Sequence, residues 1–289
     1  MGKNSFFHKI AFLVFIIGSM TTHAHAADQS TSDQTDAAVL TEQKEDNDAT
    51  NLSKKTQNPV SNLISVPFQN NFGFKAGPSD DQFSYLLNIQ PVIPVKLTDD
   101  WNLINRAILP ILVQPTGNGQ SQAGVGDFNY TGFFAPSHAK EFIFGVGPSV
   151  SLPIASAEIL GSGKWALGPS VVALYAHGPW VVGVLANNLW SFTGDAGRPD
   201  TANLLIQPFI NYNFDYGWAL STAPNITADW YGPFSQRWTV PLGAGVSKTY
   251  TGKVPMNIVL QFYDNVVRPD TAPDTFIRLT IAFLFPTNK

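Results

Sequence analysis

Cysteine is absent from this 289-residue chain, and charged residues are scarce. The missing cysteines exclude disulfides, thiol catalysis and cysteine-ligated metals. Charged residues make up only 13% of the sequence, against about 25% in a typical soluble protein. A formal net charge of -4 offers no basic surface for a nucleic acid partner. Beyond the N-terminus there is no run of about 18 or more apolar residues, so the sequence predicts no membrane-spanning helix.

The first 26 residues have the three parts of a secretory signal peptide. Lys3 and Lys9 form a basic start, IAFLVFIIGSM is a short apolar core, and Ala24 and Ala26 flank a small-x-small cleavage site. The apolar core is too short to span a bilayer. We therefore predict cleavage near Ala26 and a mature protein that leaves the cytoplasm.

Residues 27–58 are polar and acidic, with no aromatic and hardly any branched aliphatic residues. A segment of this composition cannot bury enough apolar surface to offset its loss of conformational entropy. The sequence therefore predicts a disordered polar periplasmic leader over 27–58, followed by a folded domain over 59–289.

From residue 60 onward, apolar residues recur at every second position, which indicates β-strands. Most segments are about 10 to 15 residues long, well above the usual strand of about 5 or 6, as a tilted barrel wall in a membrane requires. We predict an all-β fold, a transmembrane antiparallel up-and-down β-barrel of about 12 strands. The segments lie near 63–74, 82–97, 101–115, 125–135, 141–153, 164–176, 179–192, 201–214, 217–230, 237–249, 254–267 and 275–286.

The connections alternate between two kinds. Longer polar loops follow the odd strands, such as those at 116–124, 154–163 and 193–202, whereas tight turns such as 98–100 and 177–178 follow the even strands. Outer-membrane barrels place short turns on the periplasmic side and longer loops outside.

The last strand, TFIRLTIAFLF, shows which face meets lipid. Ile277, Leu279 and Ile281 share one apolar face, while Arg278 and Thr280 share the other. Tryptophans cluster at segment ends, as in the interfacial girdles of membrane barrels. We therefore expect the apolar face to point outward and the mixed face to line the lumen.

The alternation of faces along each predicted strand selects the residues that should line the lumen. Functionally, charges there could form a weakly selective constriction, because such rings sort solutes by sign. Alternatively, arginines pair with aspartates and amides fill the interior. The candidates are Arg106, Asp127, Asp229 and Arg278, with Asn88, Gln90, Asn129, Asn211, Gln261 and Tyr263 lining the same space.

Prolines conflict with a regular barrel, because each removes a ladder hydrogen-bond donor. Bulges accommodate some of them. Nine lie inside the predicted strands: Pro67, Pro91, Pro94, Pro110, Pro148, Pro169, Pro208, Pro224 and Pro241.

Catalytic chemistry has little support in the sequence. Beyond the signal peptide only His138 and His177 remain, both in predicted periplasmic turns and without a serine and an acid at the same height. Acidic pairs in turns show no regular metal-ligand spacing. We predict no enzyme activity, no metal site and no cofactor.

Several motifs resemble a known family. NPVSNLISVPFQNNF, LNIQPVIPV, DDWNLINRAILPILVQP, LGSGKWALGPSVV, GPWVVGVLANNLWSF and LLIQPFINYNF are similar, in sequence and order, to outer-membrane proteins of the MetA-pathway of phenol degradation family. The resemblance covers about residues 58–286. It implies an outer-membrane β-barrel that passes small aromatic or apolar compounds, and it supplies no catalytic motif.

These observations favour a passive channel or transporter for small solutes in the outer membrane of a Gram-negative bacterium. The alternatives are a closed structural or surface barrel without transport, an outer-membrane enzyme, and a soluble β-sandwich. The expected partners are outer-membrane lipid, a small-molecule solute and the barrel assembly machinery, which commonly reads a terminal aromatic. Here Phe285 is followed by PTNK.

Overall fold

A computed structural model describes residues 32–116 and 119–286. The predicted signal peptide lies outside this range. Among the described helices, none is long and apolar enough to cross a membrane. Fifteen strands form one sheet: β1 Leu63–Ala76, β2 Gln82–Ile89, β3 Val92–Lys96, β4 Trp101–Pro115, β5 Ser121–Val125, β6 Phe128–Pro136, β7 Phe142–Leu152, β8 Lys164–His177, β9 Trp180–Gly194, β10 Ala202–Asn213, β11 Trp218–Thr222, β12 Ile226–Asp229, β13 Trp238–Tyr250, β14 Met256–Val267 and β15 Thr275–Pro286.

The sheet closes on itself as an antiparallel barrel. Strand β15 pairs with β1, and β9 pairs with β10, so the ladder has no free edge. Strands β2 and β3 occupy one position in the barrel wall and count as a single interrupted strand. The same holds for β5 with β6 and for β11 with β12. The fifteen strands therefore occupy twelve positions around the barrel, which confirms the predicted fold class of a 12-stranded barrel.

Four of the nine strand prolines lie beside interruptions of the wall, whereas Pro148 and Pro169 face each other within the continuous β7–β8 ladder. Pro91 separates β2 from β3, and Pro224 lies in the break between β11 and β12. A register shift falls between Val240 and Pro241 in β13. The break before β6 is bridged by a hydrogen bond of 2.9 Å from Gly126 N to the carbonyl of Pro110. These breaks tolerate prolines because the donor that each proline lacks is not needed there.

The two faces of the wall follow the period-two pattern. On β14, Leu260 and Phe262 point away from the barrel and are each 50% exposed. On β15, Arg278 points into the lumen and is 4% exposed. Hence the apolar face is the outer one, as in outer-membrane barrels.

Two kinds of connection mark the two ends of the barrel. The loop end carries 77–81, 116–120, 153–163, 195–201, 230–237 and 268–274, and the turn end carries 97–100, 137–141, 178–179, 214–217 and 251–255. One predicted loop was too long, because residues 121–124 of the expected loop 116–124 belong to β5, which pairs with β4. The alternation of long and short connections otherwise follows the expected order.

The predicted disorder of the leader is wrong where the structure describes it. Helix α1 spans Ser32–Thr56. Over Gln43–Val60, which we call the plug segment, Ala49, Leu52 and Ser53 are buried against the barrel. These three positions share one face of a helix. Composition alone missed them, because a helix that docks into a preformed mouth needs only a narrow apolar face.

Candidate functional site: the barrel lumen

A continuous series of polar side chains lines the middle of the lumen. Most neighbouring members are linked by hydrogen bonds or by direct opposition in the sheet, and Gln69 and Asn71 are adjacent inward positions of β1. Its only charged members are two arginines, which the sequence predicted to face inward. We call the series the polar belt; it comprises Ser170, Ser149, Thr131, Arg106, Gln90, Gln69, Asn71, Arg278, Gln261 and Ser221.

Arg278 is held on all sides. Its Nε donates to Asn71 Oδ1 at 2.9 Å, and its Nη1 donates to the carbonyl of Ala223 at 2.8 Å. The guanidinium carbon lies 4.9 Å from the ring centre of Tyr263 and 5.5 Å from that of Phe276. Such contacts between a cation and aromatic rings are strongest where water is excluded. Arg278 therefore fastens β15 to the segment that joins β11 to β12.

Tyr263 completes this fastening. It is fully buried, its ring stacks on Phe276 at 4.9 Å, and its hydroxyl accepts a hydrogen bond of 2.9 Å from Ala223 N. Its neighbour on the same face, Gln261, donates to the carbonyl and hydroxyl of Ser221 at 3.2 and 3.1 Å. The lumen beside β11, β14 and β15 is thus filled by side chains.

Arg106 has a different environment. It is only partly buried, and among the described residues its single side-chain hydrogen bond is from Nη2 to Gln90 Oε1, at 2.8 Å. Gln90 in turn donates to Gln69 at 3.2 Å. The described residues show no ion pair for either arginine, so of the filled-barrel alternative the arginine–aspartate pairing is absent there and the amide network is present.

Three hydroxyl groups continue the polar belt from Arg106. Thr131 lies directly opposite Arg106 in the sheet, and its hydroxyl contacts that of Ser149. The Ser149 hydroxyl lies 2.6 Å from that of Ser170. All three are buried, so each hydroxyl satisfies its neighbour inside the wall.

An apolar layer closes the lumen between the polar belt and the turn end. Ile104 and Phe133 are fully buried, and each lies one inward position nearer the turn end than Arg106 and Thr131. We call this layer the apolar floor; its members are Val60, Ile104, Phe133, Ala135, Val172 and Leu185. Val60 belongs to the plug segment, so the leader contributes directly to the closure.

The plug segment is fixed by specific contacts at the turn end. The Ser53 hydroxyl donates to Asn213 Oδ1 at 3.0 Å, and Gln57 exchanges two hydrogen bonds with the same amide, at 2.9 and 3.0 Å. Leu52 packs with Leu63 and Leu284. Together these contacts hold the end of α1 across the mouth of the barrel.

Glycine is required where the helix meets the wall. Gly217 has a φ of +71°, and a Cβ built there would lie 3.0 Å from the Cβ of Ala49 and 2.7 Å from the carbonyl of Thr249. A side chain at this position would meet both the unfavourable backbone conformation and the helix. The close approach of the plug segment therefore depends on Gly217.

Between the polar belt and the loop end, the lumen along β2 and β4 is lined by side chains that are not fully covered. Inward-facing Leu86, Asn88, Ile108 and Leu112 are each partly exposed. Because these side chains point away from the lipid face, their exposed surface borders the lumen. We call this space the vestibule.

The two predicted lumen aspartates lie at the loop end, not beside the arginines. Asp127 Oδ2 accepts hydrogen bonds from Ser162 N and the Ser162 hydroxyl at 2.6 and 2.7 Å, and Oδ1 accepts one from Ala155 N at 3.3 Å. It therefore anchors the 153–163 loop. Asp229 is exposed at the end of β12 and accepts from Tyr231 N. Neither contributes to a mid-lumen constriction of opposite charges.

The amide candidates divide between the vestibule and the wall. Asn88 borders the vestibule, and Asn129 donates to the Asp127 carbonyl at 3.1 Å near the loop end. Asn211 is buried and donates to the Val181 carbonyl at 3.4 Å. Gln69, Asn71, Ser221 and the three hydroxyl groups are absent from the predicted set, although the same period-two count that selects Asn129 also selects Thr131.

The two histidines lie at the turn end. His138 is in the 137–141 turn, and His177 ends β8 with its Nδ1 2.8 Å from Glu141 Oε1. Hydrogen bonds from His177 and then from Tyr175 hold the pKa of the exposed Glu141 carboxyl below its usual range. Within the described ranges, no group of three acidic or histidine side chains is placed to hold a metal ion.

Comparison with solved structures identifies the same architecture elsewhere. The crystal structure of the COG4313 outer membrane channel from Pseudomonas putida F1 superposes with a TM-score of 0.60 at 17% identity, over 77% of this chain and 95% of that chain. An outer membrane phospholipase dimer with bound calcium from Salmonella typhi gives a TM-score of only 0.39 at 11% identity, over 85% and 98%. No protein-family model matches the sequence, and no curated protein matches it either. The first likeness supports the fold, that of outer-membrane barrels.

Proposed function

We propose that this chain is a passive channel for small solutes in the outer membrane of a Gram-negative bacterium. The observation that carries the proposal is the vestibule, a lumen space lined by partly exposed side chains and closed below by the apolar floor and the plug segment. The turn end then faces the periplasm and the loop end faces outward, as in other barrels of this type.

Small apolar or aromatic compounds fit this lumen as solutes. The vestibule places Leu86, Ile108 and Leu112 beside amides, so a compound with an apolar body would meet matching surface. The motif resemblance to the MetA-pathway of phenol degradation family agrees with this class, and we propose membership of that family. Outer-membrane lipid is the proposed partner of the exposed apolar face, and the barrel assembly machinery that of the terminal strand.

The closure implies that the plug segment must move for conduction. Leu52→Asp would place a charge among Leu63 and Leu284, where its desolvation is unfavourable, and would displace the helix. We expect the purified, refolded variant to carry a several-fold larger current in planar bilayers than the wild type. Lys55→Asp, on the exposed side of the same helix, is the matched control and should conduct like the wild type.

A closed structural barrel is the second candidate, because the apolar floor is densely packed with fully buried residues. It predicts silence from both the wild type and Leu52→Asp, in samples shown to be folded and inserted. That result would contradict the channel.

We propose no catalytic role. The described side chains offer His177 contacting Glu141 on the exposed turn end, without a serine hydroxyl in contact with the imidazole. A triad requires the nucleophile, the base and the orienting acid within hydrogen-bond reach of one another. Hydrolysis of a phospholipid or ester substrate by the refolded protein, lost in His177→Ala, would contradict this.

A further inference from the structure

The two lumen arginines differ in what remains free on each guanidinium. Arg278 has two protein acceptors and two aromatic rings around it, and it is buried. Arg106 has one described protein acceptor, Gln90, although a guanidinium carries five N–H donors. Arg106 is also partly exposed.

Charge in this part of the lumen is of one sign. The polar belt contains Arg106 and Arg278 and no carboxylate, and the nearest inward aspartates, Asp127 and Asp229, are occupied at the loop end. A cation that faces a narrow lumen without a counter-ion raises the local concentration of anions and repels cations. A guanidinium also matches a carboxylate in shape, since two parallel N–H groups can reach both oxygens.

The surroundings of Arg106 are apolar on both sides of the charge. Ile108 is the next inward residue toward the loop end and is partly exposed, while Ile104 is the next inward residue toward the apolar floor. Leu86 and Leu112 are opposed in the sheet on the adjoining strands and also border the vestibule. A small ligand whose charged group met Arg106 would lay its body against Ile108, whereas Leu86 and Leu112 lie farther toward the loop end.

We infer that the vestibule binds small organic anions, with a carboxylate at Arg106 and an apolar or aromatic body against Ile108. This inference rests on the proposed channel function for its physiological meaning, but the binding site itself does not. It narrows the solute class from apolar compounds in general to those that carry one negative charge.

Three probes of similar size separate charge from shape: benzoate, benzyl alcohol and benzylamine. Titration calorimetry on the refolded mature protein in uncharged detergent measures binding of each without any transport. We expect benzoate to bind about tenfold or more tightly than the other two, the effect of one or two hydrogen bonds to a charged group. Equal affinity for the three probes, or preference for benzylamine, would overturn the inference.

Variants of the arginine test its position. Arg106→Gln keeps a donor near Gln90 but removes the charge, so the preference for benzoate should disappear. Arg106→Lys keeps the charge without the fork and should retain part of it. Lys96→Gln, which removes a cation paired with Asp99 at the turn end, is the control and should bind benzoate like the wild type. Unchanged benzoate affinity in Arg106→Gln would refute the site.

Bilayer recordings distinguish failure of this inference from failure of the channel. Benzoate binding with no current in Leu52→Asp supports the anion site and contradicts conduction. Current in Leu52→Asp that shows no anion preference, together with no benzoate binding, supports the channel and overturns the anion site.

Discussion

Each half of the lumen contains one inward-facing arginine, and the two arginines have different surroundings. Beside β15, Arg278 is enclosed by Asn71, Ala223, Tyr263 and Phe276, and the space is filled. Beside β4, Arg106 retains free donors and borders the vestibule. An inward arginine can therefore be part of the packing or part of a passage, and its neighbours decide which.

The interruption at Pro224 explains much of this difference. Between β11 and β12 the chain leaves the ladder, so Ala223 presents its carbonyl to Arg278 and its N–H to Tyr263. Ala223 also packs against the cluster of Leu174, Val181 and Phe209. The break between β2 and β3 instead places Gln90 between Arg106 and Gln69, so the hydrogen bonds of Arg106 stay along the wall.

The largest expected difference between the halves is in stability. Arg278→Ala leaves the Asn71 and Ala223 oxygens without their buried donor and removes two contacts to aromatic rings, so we expect a loss of about 3 kcal/mol. Arg106→Ala removes one hydrogen bond at a partly exposed site and should cost about 1 kcal/mol or less. Urea unfolding of the refolded proteins in liposomes measures both. Equal losses would show that the two arginines have the same role.

A smaller loss of stability is expected from one hydroxyl group in the filled half of the lumen, beside β11, β14 and β15. Tyr263→Phe preserves the stacking on Phe276 but leaves Ala223 N without its acceptor, which should cost about 1 to 2 kcal/mol. Tyr231→Phe, in an exposed loop, is the matched control. If both variants unfold at the same urea concentration as the wild type, the hydroxyl does not fasten the β11–β12 break.

The smallest effect lies outside the lumen, at Glu141. The lowered pKa of this carboxyl means that its contact with His177 stabilises the fold above the ordinary carboxyl pKa and that this is lost as the pH falls through the lowered value. Glu141→Gln should therefore be slightly less stable than the wild type at neutral pH and equal to it in strong acid. Because the pair is exposed, the difference should be slight. A difference that grows on acidification would have the wrong sign.

The sequence predicted the barrel and the face of each residue better than the surroundings of each residue. Period-two phase correctly turned Arg106, Arg278 and Tyr263 inward, because a strand leaves only two choices of face. Phase does not give height along the wall, so Asp127 and Asp229 were grouped with arginines that they do not contact. The alternation of faces also gives no information on which strands are interrupted, as between β11 and β12.

The leader shows a different limit of sequence analysis. Residues 27–58 are polar enough to predict disorder, yet Ala49, Leu52 and Ser53 dock into the mouth of the barrel. The helix gains its stability from a surface formed by distant strands, including Leu284 and Asn213. The composition of the segment itself contains no information about a binding surface that distant strands form.

The most direct test of the account uses the absence of cysteine from the chain, because any introduced thiol is then the only one. Leu112→Cys places a thiol in the vestibule, and Val172→Cys places one in the apolar floor. A small charged methanethiosulfonate reagent, added to intact cells that carry each variant, reports access from outside. We expect rapid labelling at position 112 and none at 172; no labelling at 112, or equal labelling at both, would contradict a lumen that is accessible from the loop end and closed toward the turn end.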